Sequence, residues 1–243
     1  MYFQRKGFFN LPPVVKSLLI INIALFLLKM IMPAISMKLA VYSIKSDFFQ
    51  PYQLITHMFM HGDFWHLFFN MFALYMFGKI LEDVWGSKRF IIYYFFTGLG
   101  AAVLHLLVIN FEINSLISEM YPEQVEMVMN EGAQVLMQGK NYVDMNMRDL
   151  NLMINTPTVG ASGAIYGLLL AFAMLFPNAL LYIYAAIPIK AKYLVLILVL
   201  VELYMGYLNR SGDNIAHFAH LGGMLFGFIF VLIWNKWKFT RWK

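Results

Sequence analysis

The sequence predicts an all-α, polytopic membrane protein with six transmembrane helices. Three observations lead to this fold class: 61% of the 243 residues are hydrophobic, only 13% are charged, and the chain contains six long apolar runs. A soluble domain is about 45–50% apolar and about 25% charged, so its surface could not accommodate this composition. A spanning helix needs about 20 apolar residues, and the chain is long enough for six. Disordered and fibrous chains, which are far more polar, are excluded as well.

The six apolar runs are separated by charges, prolines or short connections. The predicted spans are residues 14–32, 64–81, 90–111, 159–176, 191–208 and 215–234. A shorter apolar piece at residues 179–187 is followed by Pro188 and two lysines, which indicates an interfacial loop rather than a span.

One long segment lies outside these runs. We interpret residues 112–157 as an extracytoplasmic loop inserted between spans three and four of a single domain that covers residues 1–243. Apolar residues between positions 127 and 137 predict a short amphipathic helix in this loop, lying on the outer surface as a solvated cap.

Lysine and arginine are unevenly divided between the two sides of the predicted bundle. With the amino terminus in the cytoplasm, 12 of the 18 are cytoplasmic, and the positive-inside rule then places both termini there. These residues are Arg5, Lys6, Lys16, Lys79, Lys88, Arg89, Lys190, Lys192, Lys236, Lys238, Arg241 and Lys243. We expect a multi-pass protein of a cell membrane, a bacterial inner membrane in the first instance, in contact with the lipid bilayer and not with nucleic acid.

Polar side chains inside spans are costly and therefore mark candidate sites. His66 and Asn70 are four residues apart in span two and share a helix face. Ser162 stands beside glycines where span four opens, and His220 lies in span six. These residues supply the nucleophile, the base and the oxyanion donors that acyl transfer needs. Tyr166, one turn after Ser162, can pack on the imidazole.

Glycines predict that spans four and six approach each other closely, because small residues let two helix backbones come together. They are Gly163 and Gly167 in span four and Gly223 and Gly227 in span six. Gly223 and Gly227 follow His220 by three and seven residues and so lie on the same helix face as His220. This position favours His220 over His217 as the base. We therefore expect Ser162 to meet His220 where the two helices touch.

Other chemistry fits the same residues less well. Histidines can ligate metals, but the spans hold few carboxylates and no HExxH spacing, so no metal and no cofactor is expected. The absence of cysteine excludes thiolate sites. Glu202 is the only acid deep in a span. We expect it and His105 to support packing, and Glu82 to accept hydrogen bonds from neighbouring donors.

Four motifs follow one another along the chain: HxxxN at 66–70, GxxxExxxG at 78–86, GxSG at 160–163 and AHxxGxxxG at 219–227. In this order they resemble the motifs of the rhomboid family of intramembrane serine proteases. The resemblance covers nearly the whole chain and implies a rhomboid-like six-helix bundle, with a water-filled cavity open to the extracytoplasmic side.

The resemblance also implies a role for each candidate residue. Ser162 would be the nucleophile and His220 the general base, in a dyad with no third acid. The oxyanion hole would consist of His66, Asn70 and the backbone N–H of Ser162. The remaining roles are supporting ones: Gly160 would shape the turn, Tyr166 would stack on the catalytic ring, and Phe69 with span five would form a lateral gate for substrate.

The implied activity is hydrolysis of peptide bonds in or near the transmembrane segments of single-span membrane proteins. Two alternatives remain open at this point. One is a catalytically inactive rhomboid-like protein that binds client helices, and the other is a small transporter. The outer loop could also grip substrate. The sequence makes no prediction of the oligomeric state.

Overall fold

The computed structural model describes residues 11–183, 187–208 and 214–240. These ranges are mostly helical, which confirms the all-α class. The helices are α1 (Pro13–Ile31), α2 (Ala34–Leu39), α3 (Gln53–Thr56), α4 (Phe64–Ala73), α5 (Lys79–Trp85), α6 (Ser87–Ser118), α7 (Pro122–Met137), α8 (Met145–Asn155), α9 (Ser162–Leu175), α10 (Ala191–Tyr207) and α11 (Asn214–Thr240). A π-helical turn at Leu74–Gly78 joins α4 and α5 into one continuous helix.

Among the residues that the structure describes, four helical segments are long and apolar enough to cross a bilayer. They are Pro13–Ile31, Phe64–Trp85, Ser87–Ser118 and His217–Trp234, and they coincide with predicted spans one, two, three and six. Predicted spans four and five correspond to the shorter helices α9 and α10, which have 14 and 17 residues. The chain is thus a helical multi-pass membrane protein.

Helix α9 is shorter than the apolar run that predicts it. The chain enters α9 in an extended segment, where Thr158 and Val41 exchange two backbone hydrogen bonds of 2.8 and 3.0 Å. At about 1.5 Å per residue, α9 is about 21 Å long, whereas the hydrocarbon core is about 30 Å thick. At least one end of α9 therefore lies inside the hydrocarbon layer, and Ser162 is its first residue.

Helix α11 packs against α6 and α9 along small residues. A Cβ atom added to Gly223 would overlap the backbone carbonyl of Gly163, and one added to Gly163 would overlap the methyl group of Ala101. A Cβ on Gly227 would lie 3.4 Å from the Cα of Gly167. The close approach of spans four and six that the glycines predict is confirmed.

A buried carboxylate ties the first two spans together. Glu82 is only 2% exposed and accepts hydrogen bonds from the backbone N–H groups of Val14 (3.0 Å) and Val15 (2.7 Å) at the start of α1. It also accepts one from the Ser87 hydroxyl (2.6 Å). The first N–H groups of a helix have no intrahelical partner, so Glu82 caps α1. Its role as a hydrogen-bond acceptor is as the sequence predicts, and the capping of α1 is a finding of the structure.

The outer region contains two helices where the sequence predicts one. Helix α7 includes the expected amphipathic segment, and α8 is additional. Residues 112–118, assigned to the outer loop by the prediction, form the end of α6. Val128 of α7 and Leu150 of α8 are fully buried in one cluster with Ile109 and Ile113 of α6. The two outer helices therefore pack onto the carboxyl-terminal end of α6.

The interfacial loop predicted before span five contains two paired β-strands among its described residues. Strand β1 (Leu180–Ile183) pairs antiparallel with β2 (Ile187–Lys190). Helix α10 then starts at Ala191, the residue at which the sequence predicts span five to begin. The apolar piece is too short to span, and strand pairing satisfies the backbone groups on the facing edges of β1 and β2.

Candidate active site

A cavity of about 160 Å³ lies between α4, α6, α9 and α11. Its polar lining residues are His57, His66, His105, Thr158, Ser162 and His220. A space of this size holds several water molecules, and the ring nitrogens and hydroxyls around it are suitable hydrogen-bond partners for them.

Ser162 and His220 line this cavity from two helices that touch next to them. Ser162 is the first residue of α9, and His220 lies on α11. The backbone contact between Gly163 and Gly223 falls one residue after the serine and three residues after the histidine. The glycine pair therefore holds the two helices together at the level of both side chains.

The imidazole of His220 is held on one face and at one edge. The Tyr166 ring is stacked on it, with centroids 4.0 Å apart and an angle of 7° between the planes. Nδ1 of His220 lies 3.0 Å from Oε1 of Glu202. The stacking that the sequence analysis predicts for Tyr166 is present, and the Glu202 contact is new.

The contact with Glu202 corrects the expectation that no acid reaches the ring. Glu202 of α10 does support packing, since it also hydrogen-bonds His217 and the Tyr166 hydroxyl. Its carboxylate is nevertheless in direct contact with the candidate base. The sequence contained one signal for this, a lone acid deep in a span that needs a partner. Asp213, another acid close to His220 in sequence, lies outside the described residues.

His66 and Gly160 face each other beside Ser162. Gly160 has a φ of 130°, which side chains rarely adopt, and a Cβ there would lie 2.7 Å from Nε2 of His66 and 3.7 Å from Oγ of Ser162. Only glycine therefore fits this turn. The Gly160 N–H donates to the His57 carbonyl (2.9 Å).

The amino-terminal cap of α4 sets the position of His66. The Asp63 carboxylate accepts a hydrogen bond of 2.9 Å from the His66 backbone N–H, as a helix-capping side chain does. This hydrogen bond lowers the pKa of the Asp63 carboxyl. His66 thus lies in the first turn of a capped helix, with its ring at the cavity.

Two predicted residues of α4 do not line the cavity. Asn70 is buried one turn after His66, and its side-chain amide donates to the His66 carbonyl (3.0 Å). Phe69 is 62% exposed and stacks on Trp65, with ring centroids 6.1 Å apart. Phe69 is therefore a surface side chain next to the site.

Three further histidines lie at or behind the cavity. His57 and His105 line it, and Nε2 of His105 is 3.2 Å from the Thr158 hydroxyl. His61 is fully buried with its ring edge toward His66, and neither of its ring nitrogens has a hydrogen-bond partner among the described residues. Burial lowers the pKa of His57 to about 4 and that of His61 to about 3. Both rings are therefore uncharged at neutral pH.

Glu202, His217 and His220 also offer ligand atoms within 4.8 Å of one another, a spacing that a metal ion could bridge. In each histidine, however, Nδ1 lies at hydrogen-bonding distance from a carboxylate oxygen. This arrangement fits protonated nitrogens that donate to the carboxylate, rather than ligands arranged around an ion.

Comparison with known proteins identifies the family. The family model described as the Rhomboid domain matches residues 49–118 and 120–237, which include every motif described above. The chain belongs to the rhomboid family. The resemblance stated from the motifs is thus confirmed, and the cavity described here lies in the rhomboid domain.

Similar proteins come from organelles and from bacteria. The chain is 29% identical over 170 residues to RHOMBOID-like protein 12, mitochondrial, of Arabidopsis thaliana. This match covers 70% of this chain and 42% of that protein. It is 27% identical over 177 residues to Rhomboid protein 1, mitochondrial, of Saccharomyces cerevisiae, and the match covers 73% of this chain and 40% of that protein. It is 26% identical over 183 residues to the putative rhomboid protease YdcA of Bacillus subtilis, and the match covers 74% of this chain and 67% of that protein. The chain spans about two fifths of the length of the first two relatives.

Proposed function

We propose that this rhomboid-family chain is an intramembrane serine endopeptidase that cuts single-span membrane proteins with Ser162 as nucleophile and His220 as base. The observation that carries the proposal is that both side chains line one cavity with room for water, beside the closest contact of α9 and α11. Peptide hydrolysis at a serine needs a base and water at the same place.

The reaction follows from these groups. Nε2 of His220 accepts the Ser162 proton while Oγ bonds to the scissile carbonyl carbon. The oxyanion that forms accepts hydrogen bonds from His66 and from the backbone N–H of Ser162, one of the unpaired N–H groups at the start of α9. We propose Asn70 as the remaining oxyanion donor. One of its amide N–H groups donates to the His66 carbonyl, so the second would have to turn toward the cavity, which Asn70 does not line in this structure.

Two bond cleavages then complete the cycle. The C–N bond breaks, and the amine leaves with the proton from Nε2 of His220. Water next gives a proton to Nε2 and adds to the acyl carbon. The C–Oγ bond breaks, Ser162 recovers its proton, and the new carboxylic acid departs. No cofactor takes part in these steps.

The substrate must offer an accessible peptide carbonyl. A helix in lipid hides its carbonyls in internal hydrogen bonds, so we expect cleavage where small or helix-breaking residues loosen a span. The exposed aromatic face of α4, which includes Trp65, Phe68 and Phe69, borders the site. We propose that it forms the lateral gate together with α10.

Replacement of Ser162 by Ala tests the proposal. The wild type, reconstituted in lipid, is expected to cleave a model single-span substrate and to react with a fluorophosphonate at Ser162, whereas Ser162→Ala does neither. Ser118→Ala is the matched control, because Ser118 is exposed at the end of α6 and donates only to a backbone carbonyl. Cleavage by Ser162→Ala at the wild-type rate contradicts the proposal. A wild type that binds client helices without reacting supports the inactive alternative.

We further propose that both termini face the cytoplasm of a bacterial cell. The support is the excess of lysine and arginine in the segments on that side. Fusions of alkaline phosphatase after Gly139 and after Lys243 test this orientation. Activity of the first fusion alone is expected, and activity of the second alone contradicts the orientation.

A further inference from the structure

Glu202 is a carboxylate deep in the bundle with several donors around it. Its side chain belongs to α10, and the residue is only 4% exposed. Oε1 is 3.0 Å from Nδ1 of His220, and Oε2 lies at hydrogen-bonding distance from Nδ1 of His217. The Tyr166 hydroxyl is a third donor. Residues from α9 and α11 therefore converge on one acid of α10.

The donors determine the charge of the carboxyl group. An ionised carboxylate only accepts hydrogen bonds, and it has room for about four, whereas a protonated one must donate at one oxygen. The ionised form accepts from all three neighbours at once, whereas the protonated form would need one imidazole to accept at Nδ1. A carboxyl group is also a stronger acid than an imidazolium, so a proton shared between Glu202 and a histidine resides on the ring. Burial of an unpaired charge is costly, but three hydrogen bonds offset that cost. Glu202 is therefore an anion in contact with His220.

This anion selects the tautomer of the histidine. Because Nδ1 of His220 must donate to Glu202, the neutral ring carries its proton on Nδ1 and its lone pair on Nε2. The Tyr166 ring, parallel to the imidazole, keeps it from tilting. When Nε2 takes up a proton, the resulting imidazolium is paired with the carboxylate at 3.0 Å.

We infer that Glu202 is a positioning residue that orients His220, keeps Nε2 free to act as the base and stabilises the imidazolium, so that the site works as a Ser162–His220–Glu202 triad. This inference rests on the proposed function. It replaces the two-residue dyad with the chain of hydroxyl, imidazole and carboxylate that serine hydrolases on other folds use.

The experiment compares Glu202→Gln with Glu202→Asp and with a matched control. Glu82→Gln is that control, because Glu82 is an equally buried carboxylate with three donors, but it caps α1 away from the cavity. We expect Glu202→Gln to lower kcat by about 100-fold or more with little change in KM, since the orientation and charge partner of the base are lost. Glu202→Asp, which keeps the charge, is expected to recover part of kcat. Glu82→Gln is expected to lower the unfolding temperature but not kcat per folded molecule.

A spectroscopic measurement separates orientation from general stability. The chain has six histidines, so 15N-histidine labelling gives few signals, and replacement of His220 assigns its own. Wild-type His220 is expected to carry the proton on Nδ1, and in Glu202→Gln that preference is expected to be lost.

The outcomes distinguish the two proposals. If the wild type reacts at Ser162 but Glu202→Gln keeps kcat within about threefold of the wild type, or if His220 carries its proton on Nε2, the triad is refuted and the protease assignment stands. If the wild type does not react at Ser162 at all, the proposed function fails and the triad fails with it.

Discussion

The Tyr166 ring lies parallel to the His220 imidazole at a centroid distance of 4.0 Å, so the residue one turn after the candidate nucleophile covers one face of the candidate base. Tyr166 also donates its hydroxyl proton to Glu202. The same side chain therefore restrains the ring directly and through the carboxylate.

Two substitutions of Tyr166 separate these contributions. Tyr166→Phe keeps the stacked ring and loses one hydrogen bond to a charged group, so kcat is expected to fall by about tenfold. Tyr166→Leu loses the stacking as well and is expected to reduce kcat by about 100-fold, because the imidazole can tilt. Steady-state cleavage of a model substrate measures both. Equal activities for the two variants would show that the stacking is unimportant.

Gly160 is expected to tolerate no side chain. In Gly160→Ala the new Cβ would lie 2.7 Å from Nε2 of His66, and the positive φ of 130° adds backbone strain of roughly 1–3 kcal/mol. We expect fluorophosphonate labelling of Ser162 to fall by at least about 100-fold as His66 is displaced. Gly139→Ala is the control, because Gly139 also has a positive φ but its Cβ would meet no atom within 4 Å. Normal labelling of Gly160→Ala would contradict the geometry.

The contact between Gly163 and Gly223 is expected to be necessary for both stability and activity. A Cβ in Gly223→Ala would overlap the Gly163 carbonyl, and such overpacking costs about 1–3 kcal/mol. The helices must separate, so we expect a lower unfolding temperature and slower labelling of Ser162. In the control Gly206→Ala, the nearest atoms belong to the Phe218 ring at 3.3 Å, which can move. The prediction fails if both variants unfold at the wild-type temperature.

The buried histidines predict a loss of stability in acid. The folded-state pKa values of His57 and His61 are about 4 and about 3, whereas the unfolded value is about 6.5. Between these values the unfolded chain binds more protons than the folded chain. The free energy of unfolding therefore falls as the pH drops below about 6.5, by up to about 1.4 kcal/mol per pH unit for each histidine.

Replacement of His61 tests this pH dependence. His61→Leu removes one of the two proton-binding groups, so the decrease in unfolding temperature between about pH 7.5 and about pH 5 is expected to be smaller than in the wild type. At pH 7.5 the variant is expected to be as stable as the wild type, because no hydrogen bond to either ring nitrogen of His61 is lost among the described residues. Thermal unfolding in detergent measures both values. An unchanged pH dependence would contradict the prediction.

Much of the fold could be predicted from local features of the chain. Runs of apolar residues identify the spans because lipid tolerates few polar groups. Gly163 and Gly223 indicate where two helices can touch, since only small residues allow that distance. Glu82 was assigned as an acceptor because a buried acid needs donors. Each of these inferences depends on one segment and the solvent around it.

Other features depend on how segments pack against each other. The pairing of β1 with β2, the packing of the second outer helix α8 and the shortness of α9 each involve contacts between segments. For α9, one such contact is the pairing of Val41 with Thr158 just before the helix. The positions of Asn70 and Phe69 relative to the cavity likewise follow from the rotation of α4 about its axis. Periodicity shows which residues share a helix face but not which neighbour that face meets.

The sequence by itself determined the membrane class, the spans and the set of groups available for chemistry, because bilayer solvation penalises every polar atom without a partner. Only the tertiary structure decided that Glu202 is the partner of His220. That pairing depends on the rotation and depth of α10 against α11, which are set by the packing of whole helix surfaces. The sequence of neither helix alone identifies which residue pairs with Glu202.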